Sequence, residues 1–255
     1  MDALSPDQAT GLRRLLQGGI PEVTAVLPCG RATTVWLAYQ LELRASVGVR
    51  ILVVDECLRG GGLSDRLGGM PRADLADWLE GLSPADLCTV SSRAGLEIVR
   101  AARLAESLIK HRSGIQRALA MLRSLQAGYD EWLLCARLDT HNGVSSLALA
   151  APRMLLLLDA DPRSATRAYI ALRNMLRAGC RARLAVCVVG AVNAAANALL
   201  EGFASEVRER LGVDLACVGS LGEAAMLDSR AGSTRTDSYL TNLIQAIGRR
   251  PELMA

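Results

Sequence analysis

Four stretches of the chain are apolar almost without a break: Arg50–Asp55 (RILVVD), Glu131–Ala136 (EWLLCA), Arg153–Leu158 (RMLLLL) and Leu184–Val189 (LAVCVV). Runs of this length and kind predict strands buried on both faces. Glu22–Leu27 (EVTAVL) is a shorter β-branched run closed by the turn Pro28-Cys29-Gly30. Other segments repeat apolar residues at helical spacing. These are Thr33–Ala45, Ile115–Gln126, Ser164–Ala178, Ala194–Leu211 and Ser238–Gly248, with a short helix over Asp74–Leu79 after Pro71. Gly212 stops the helix before it. Leu96–Arg100 fits either a strand or a helix and is taken as a strand, Val213–Val218 alternates as a strand does, and Arg59–Gly69 is a glycine-rich loop.

Strands alternating with helices predict parallel β-α-β units with right-handed crossovers. Strands apolar on both faces predict a mostly parallel sheet covered by helices on both sides. The expected fold class is therefore α/β, in one domain of a size that suits 255 residues. Ligands of such a sheet sit beyond the carboxyl ends of its strands. The loops of interest come after Leu27, Asp55, Ala136, Leu158 and Val189.

The first nineteen residues stand ahead of this pattern. Ser5 can cap a helix, Pro6 suits its first position, and Gln8 completes a capping box. Ala9, Leu12 and Leu16 make one apolar stripe, and Gly18-Gly19 with Pro21 separate it from the rest of the chain. The chain is expected to divide into this helix and hinge, 1–19, and the α/β domain, 20–255. A helix this short is marginal alone in water. It must dock on its own domain or on a partner, and spacing alone favours the first.

Composition narrows the chemistry. Half the residues are hydrophobic but aromatics are few, so the core is aliphatic. A net charge of +3 with no basic patch gives no case for nucleic acid. The polar N-terminus does not read as a signal peptide, and the apolar runs are too short to span a bilayer. The seven cysteines form no C-x-x-C pair, which fits free thiols in a cytoplasm. Cys135 with His141 and Asp139 would make a nucleophilic site, but a cysteine after Trp132-Leu133-Leu134 is first a core residue. Asp159 and Asp161 would suit a metal, but Asp-Pro after a strand is first a turn.

Lys110 is the only lysine, and it lies outside any strand-to-helix turn. A phosphate-cradling P-loop needs glycine amides, a lysine and a Ser/Thr for Mg²⁺. The first loop here reads Leu27-Pro28-Cys29-Gly30-Arg31-Ala32-Thr33-Thr34. It keeps the hydroxyls of Thr33 and Thr34, which also serve as caps. Arg31 can meet a phosphate, but not as a compact ammonium does. Asp55 ends the second strand, either orienting a water or capping a loop.

With these residues in view, the chain resembles the MinD-type deviant P-loop ATPases and, among them, the FlhG (FleN) group of flagellar number regulators. Asp7-Gln8-Ala9-Thr10-Gly11-Leu12-Arg13 matches the group's D-Q-A-x-x-L-R motif at every specified position. Arg31-Ala32-Thr33-Thr34-Val35 stands where the family has G-K-T-T-V. Ile51–Cys57 with Gly62–Gly68 after it resembles the second strand and D-x-D loop, and Gly128-Tyr129-Asp130 the lead into the Walker B strand. Asp161–Thr166 with Ala168-Tyr169 resembles the E-P-x-S-x-T-x-A-Y helix start, and Leu211–Leu215 with Gly219-Ser220 the L-G-V-x-L strand.

The resemblance implies a single P-loop-NTPase-like (MinD-like) domain with a degenerate nucleotide site. Leu27 stands for the signature lysine, Ala32 for the P-loop lysine, Cys57 for the second aspartate of D-x-D, Cys135 for the Walker B aspartate and Cys187 for an adenine-contacting asparagine. Arg31, Thr33, Thr34 and Asp55 are the remnant. Phosphoryl transfer rests on lysine and Mg²⁺ placement, so a pseudo-ATPase with no cofactor, no metal and no catalytic residue is expected. In the family the D-Q-A-x-x-L-R helix binds the signal-recognition-type (SRP) GTPase FlhF and stimulates its GTP hydrolysis. The implied partner surface is Asp7, Gln8, Ala9, Leu12, Arg13, Leu15 and Leu16. A flagellar transcription activator or C-ring component is the alternative partner, and an ATPase with an unorthodox site the alternative chemistry. Membrane association is expected to be weak or absent, since little chain lies beyond 238–248.

Overall fold

The structure, a computed structural model, describes residues 13–14, 16, 22–57, 62–83, 88–110, 115–126, 128–137, 146–191 and 193–222. Eight strands form one sheet: β1 (Glu22–Pro28), β2 (Ile51–Asp55), β3 (Thr89–Arg93), β4 (Leu96–Arg100), β5 (Glu131–Cys135), β6 (Arg153–Asp159), β7 (Arg183–Gly190) and β8 (Ala216–Gly222). Their order is β3-β4-β2-β5-β1-β6-β7-β8. Every pairing is parallel except β3 with β4, an antiparallel edge closed by Gly95 at φ 82°. The helices are α1 (Arg31–Ser46), α2 (Leu63–Arg66), α3 (Leu75–Leu79), α4 (Leu104–Lys110), α5 (Ile115–Gln126), α6 (Ser146–Ala150), α7 (Pro162–Arg177) and α8 (Ala194–Leu211).

The unbroken apolar strands are buried on both faces, as their composition requires. Successive residues point to opposite sides, so each strand feeds two cores. Val23, Ala25 and Leu27 of β1 join Leu156 and Leu158 of β6 in one core, where α7 and α8 pack through Leu172, Met175, Phe203 and Val207. Val26, Leu155 and Leu157 join the other, under Trp36, Leu37 and Leu41 of α1. β1 sits at the centre, between β5 and β6. The chain leaves it toward β2 on one side and later crosses to β6 on the other, so the switch of direction falls at its carboxyl end.

Several elements depart from the sequence-based expectation. β3 is polar and half-exposed, and its alternation is too weak to mark a strand. α2, α4 and α6 are helices where none was expected. β8 begins at Ala216, not Val213. Gly212 ends α8 in the left-handed region at φ 67°, and residues 213–215 carry the chain from the helix end to the sheet, with Leu215 buried in the core. The helix expected over 238–248 lies outside the described residues.

Part of the N-terminal segment is described. Leu16 is 2% exposed and belongs to the α7 and α8 core. Arg13 Nη2 donates to the Gly179 carbonyl at 3.0 Å. Gly179, at φ 80°, lies just past α7, and the Gly179 and Cys180 amides return to Leu176 and Met175 as in a Schellman turn. The guanidinium thus meets a helix C-terminus, where a cation is favoured.

Candidate functional site

The site is assembled where β1, β2, β5 and β6 end. Gly30 is the N-cap of α1 in extended backbone, φ −156°. Thr33 Oγ1 donates to the Gly30 carbonyl at 2.7 Å and accepts from the Gly30 amide at 3.1 Å. Thr34 Oγ1 donates to the same carbonyl at 3.1 Å. Thr33 thus serves the N-cap amide of α1, Thr34 bonds back onto the same carbonyl, and Thr33 is fully buried. Arg31 is exposed at the start of the helix. Leu27, which the resemblance sets in the signature-lysine position, points into the core and is 0% exposed.

The first turn of α1 carries no acidic residue. A carboxylate reaches it from another strand. Asp159, the last residue of β6, accepts from the Thr33 amide at 2.9 Å through Oδ1. A Cβ added at Gly30 would collide with that carboxylate, so only glycine permits the approach. The sequence pairs Asp159 with Asp161 in one turn, and the two separate here: Asp161 caps α7 by accepting from the Arg163 amide at 3.2 Å. The missed signal is an acidic strand end facing a helix start that has no acidic residue of its own. Among the described residues no group of three or more His, Cys, Asp or Glu is placed to hold a metal.

Asp55 is 2% exposed at the end of β2. Its Oδ1 accepts from the Cys57 amide at 3.0 Å, and its Oδ2 accepts from the Ser64 amide at 2.9 Å and from the Ser64 hydroxyl. It ties residue 57 to the start of α2, which is the capping alternative.

The three cysteines that the resemblance sets in site positions are also placed. Cys135 lies beside Asp55 in the β2–β5 register, and its thiol is pushed far above its ordinary pKa by burial, with the neighbouring Asp55 adding to this. Cys187 lies 0% exposed in the α1 core, its thiol pushed up to about 12 by burial. Cys57 is half-buried beside Gly62. Cys29, between β1 and Gly30, is buried and likewise pushed up to about 12. A thiol held protonated is a poor nucleophile. Iodoacetamide on the native protein at pH 8 is expected to label the exposed Cys217 well ahead of Cys29, Cys88, Cys135 and Cys187, which react only on unfolding. Mass mapping that finds Cys135 labelled as fast as Cys217 would make it a reactive centre after all.

The residues brought together are Thr33, Thr34 and Asp159 over α1, with Arg31 beside them, and Asp55 with Cys57, Ser64 and Cys135. Asp7, Gln8, Ala9, Leu12 and Leu15 lie outside the described residues. So do His141 and Asp139.

No family model matches the chain, and no curated protein matches its sequence. Solved structures do. The MinD cell division protein of Aquifex aeolicus superposes with TM-score 0.59 at 17% identity, covering 90% of this chain and 98% of that one. A Cyanothece McdA(D38A)–ATP complex gives 0.59 at 15% over 91% and 98%. A ParA family ATPase from Chlorobium tepidum gives 0.54 at 15% over 90% and 98%. With its single domain and eight-stranded, mostly parallel sheet, the chain has the fold of the MinD and ParA P-loop ATPases.

Proposed function

We propose that this chain is a nucleotide-independent relative of the MinD-fold ATPases. In this reading it regulates flagellar number or placement by binding an FlhF-type SRP GTPase through its N-terminal segment and stimulating GTP hydrolysis. The observation that carries the first half is the use of the site's own groups. The Thr33 hydroxyl bonds both the amide and the carbonyl of Gly30, the Thr34 hydroxyl donates to that carbonyl, the Thr33 amide is given to Asp159, and Ala32 stands where a lysine would meet phosphate. The second half rests on the D-Q-A-x-x-L-R match. Gln8 is the polar residue proposed to reach the partner's site, with Leu12 and Leu15 anchoring the helix.

GTP turnover by an FlhF-type GTPase is the test. Full-length chain is expected to raise it, and a variant lacking residues 1–12, or Gln8→Ala, to raise it much less. The truncation stops there so that Arg13 and Leu16 stay in place. Unchanged turnover with the full chain would refute the partner. A thermal-shift titration with ATP or ADP and Mg²⁺ checks the nucleotide claim: a ligand at 100 times its Kd adds about 2.7 kcal/mol to the folded state, and no shift is expected. The engagement of Arg13 and Leu16 by the chain's own domain favours a second reading, a scaffold for a flagellar transcription activator or C-ring component. A stable complex with such a protein, unaffected by the truncation, would select it.

A further inference from the structure

A helix start exposes amide donors and partial positive charge, and an anion there is stabilising. In α1 that anion comes from 126 positions away along the chain. Three observations fix it. Asp159 Oδ1 accepts from the Thr33 amide at 2.9 Å. The carboxylate lies so close over Gly30 that both its oxygens and its Cγ fall where a Cβ would be. Its own amide donates to Ser164 Oγ at 2.9 Å, and Ser164 is 0% exposed in the first turn of α7. The Asp161 cap holds the same turn from the other side.

We infer that Asp159 is a tethered anion. Its carboxylate occupies the phosphate-binding position at the start of α1 and clasps the β1–α1 loop to the β6–α7 turn. The site is not merely short of a lysine; it is filled. A free phosphate would have to displace a carboxylate whose effective concentration is set by the fold, and would put a second negative charge beside it. The clasp also gives the loop the order that a bound phosphate gives elsewhere, with no ligand. This deepens the nucleotide-independent reading but not the partner reading, and the two fail separately: GTP turnover tests the partner, anion-dependent stability tests the clasp.

The experiment compares thermal unfolding of the full chain and of Asp159→Ala in chloride and in inorganic phosphate at matched pH and ionic strength. Wild type is expected to melt at the same temperature in both salts. Asp159→Ala is expected to melt several degrees lower in chloride, since it loses a charge-assisted bond at a helix terminus, and to recover saturably in phosphate. Should the variant not fold in chloride, its yield on refolding in phosphate against chloride asks the same question. Asp159→Asn keeps an acceptor for the Thr33 amide but not the charge, and is expected to fall between the two. Three results would overturn the clasp: an Asp159→Ala variant as stable as wild type in chloride, a loss of stability that phosphate does not restore, or an equal phosphate effect on wild type and variant. Asp159→Asn matching wild type would remove the anion from the account and leave only a hydrogen bond.

Discussion

Leu16→Ala is expected to destabilise the protein by about 2–5 kcal/mol, the range for deleting a buried leucine side chain. Leu16 is 2% exposed and packs in the same core as Leu172, Met175 and Phe203. Removing its branched end leaves a cavity in that core. The chain is therefore fastened at the end of the D-Q-A-x-x-L-R motif, by Arg13 on the Gly179 carbonyl, and just past it, by Leu16 in the core. This redistributes roles within the proposed partner surface. The family resemblance places Arg13 and Leu16 among its contacts, whereas both serve the chain's own domain. The proposed partner surface then rests on Asp7, Gln8, Ala9, Leu12 and Leu15, which lie outside the described residues. Urea unfolding reads the effect: the midpoint should fall with the m-value unchanged. A variant that melts like wild type but no longer stimulates the GTPase would return Leu16 to the partner surface.

The buried strands were legible because burial on both faces leaves a plain trace: Ile51–Val54 and Met154–Leu158 have no polar position to place. The helix ends were legible where a single residue carries the reason, as Gly212 does in the left-handed region. β3 was not, because Thr-Val-Ser-Ser-Arg owes its conformation to pairing with β4 across a bulge and not to its own pattern. The same holds for the site. That Leu27, Ala32 and Cys135 stand in site positions is what the family resemblance implies from their order along the chain. The replacement could not be read this way, because the Asp159–Thr33 bond joins residues that only the β1–β6 pairing brings together. Capping was one of two open readings for Thr33 and Thr34, and the Thr33 hydroxyl does accept from the Gly30 amide.

Asp55 is the residue for which chemistry and architecture predict opposite outcomes. Asp55→Ala is expected to cost at least about 3 kcal/mol and Asp55→Asn about 1–3, since each buried donor left without an acceptor costs about 1–3 kcal/mol. At 2% exposure, water cannot replace the carboxylate as acceptor for the Cys57 amide, the Ser64 amide and the Ser64 hydroxyl. Alanine removes all three acceptor contacts. Asparagine keeps one oxygen and turns an NH₂ toward either Cys57 or Ser64, setting donor against donor. If Asp55 instead positioned an attacking water, as the family resemblance would have it, Asp55→Asn would leave stability nearly intact and abolish phosphate release from ATP. The two variants thus need only a urea melt and a phosphate-release assay. The clasp at Asp159 and the cap at Asp55 predict falling midpoints, in the order alanine below asparagine below wild type, with phosphate release at background in all three. A wild-type chain that releases phosphate from ATP, and loses this on Asp55→Asn without loss of stability, would make the protein an ATPase whose site opens beyond the closed arrangement of Gly30, Thr33 and Asp159.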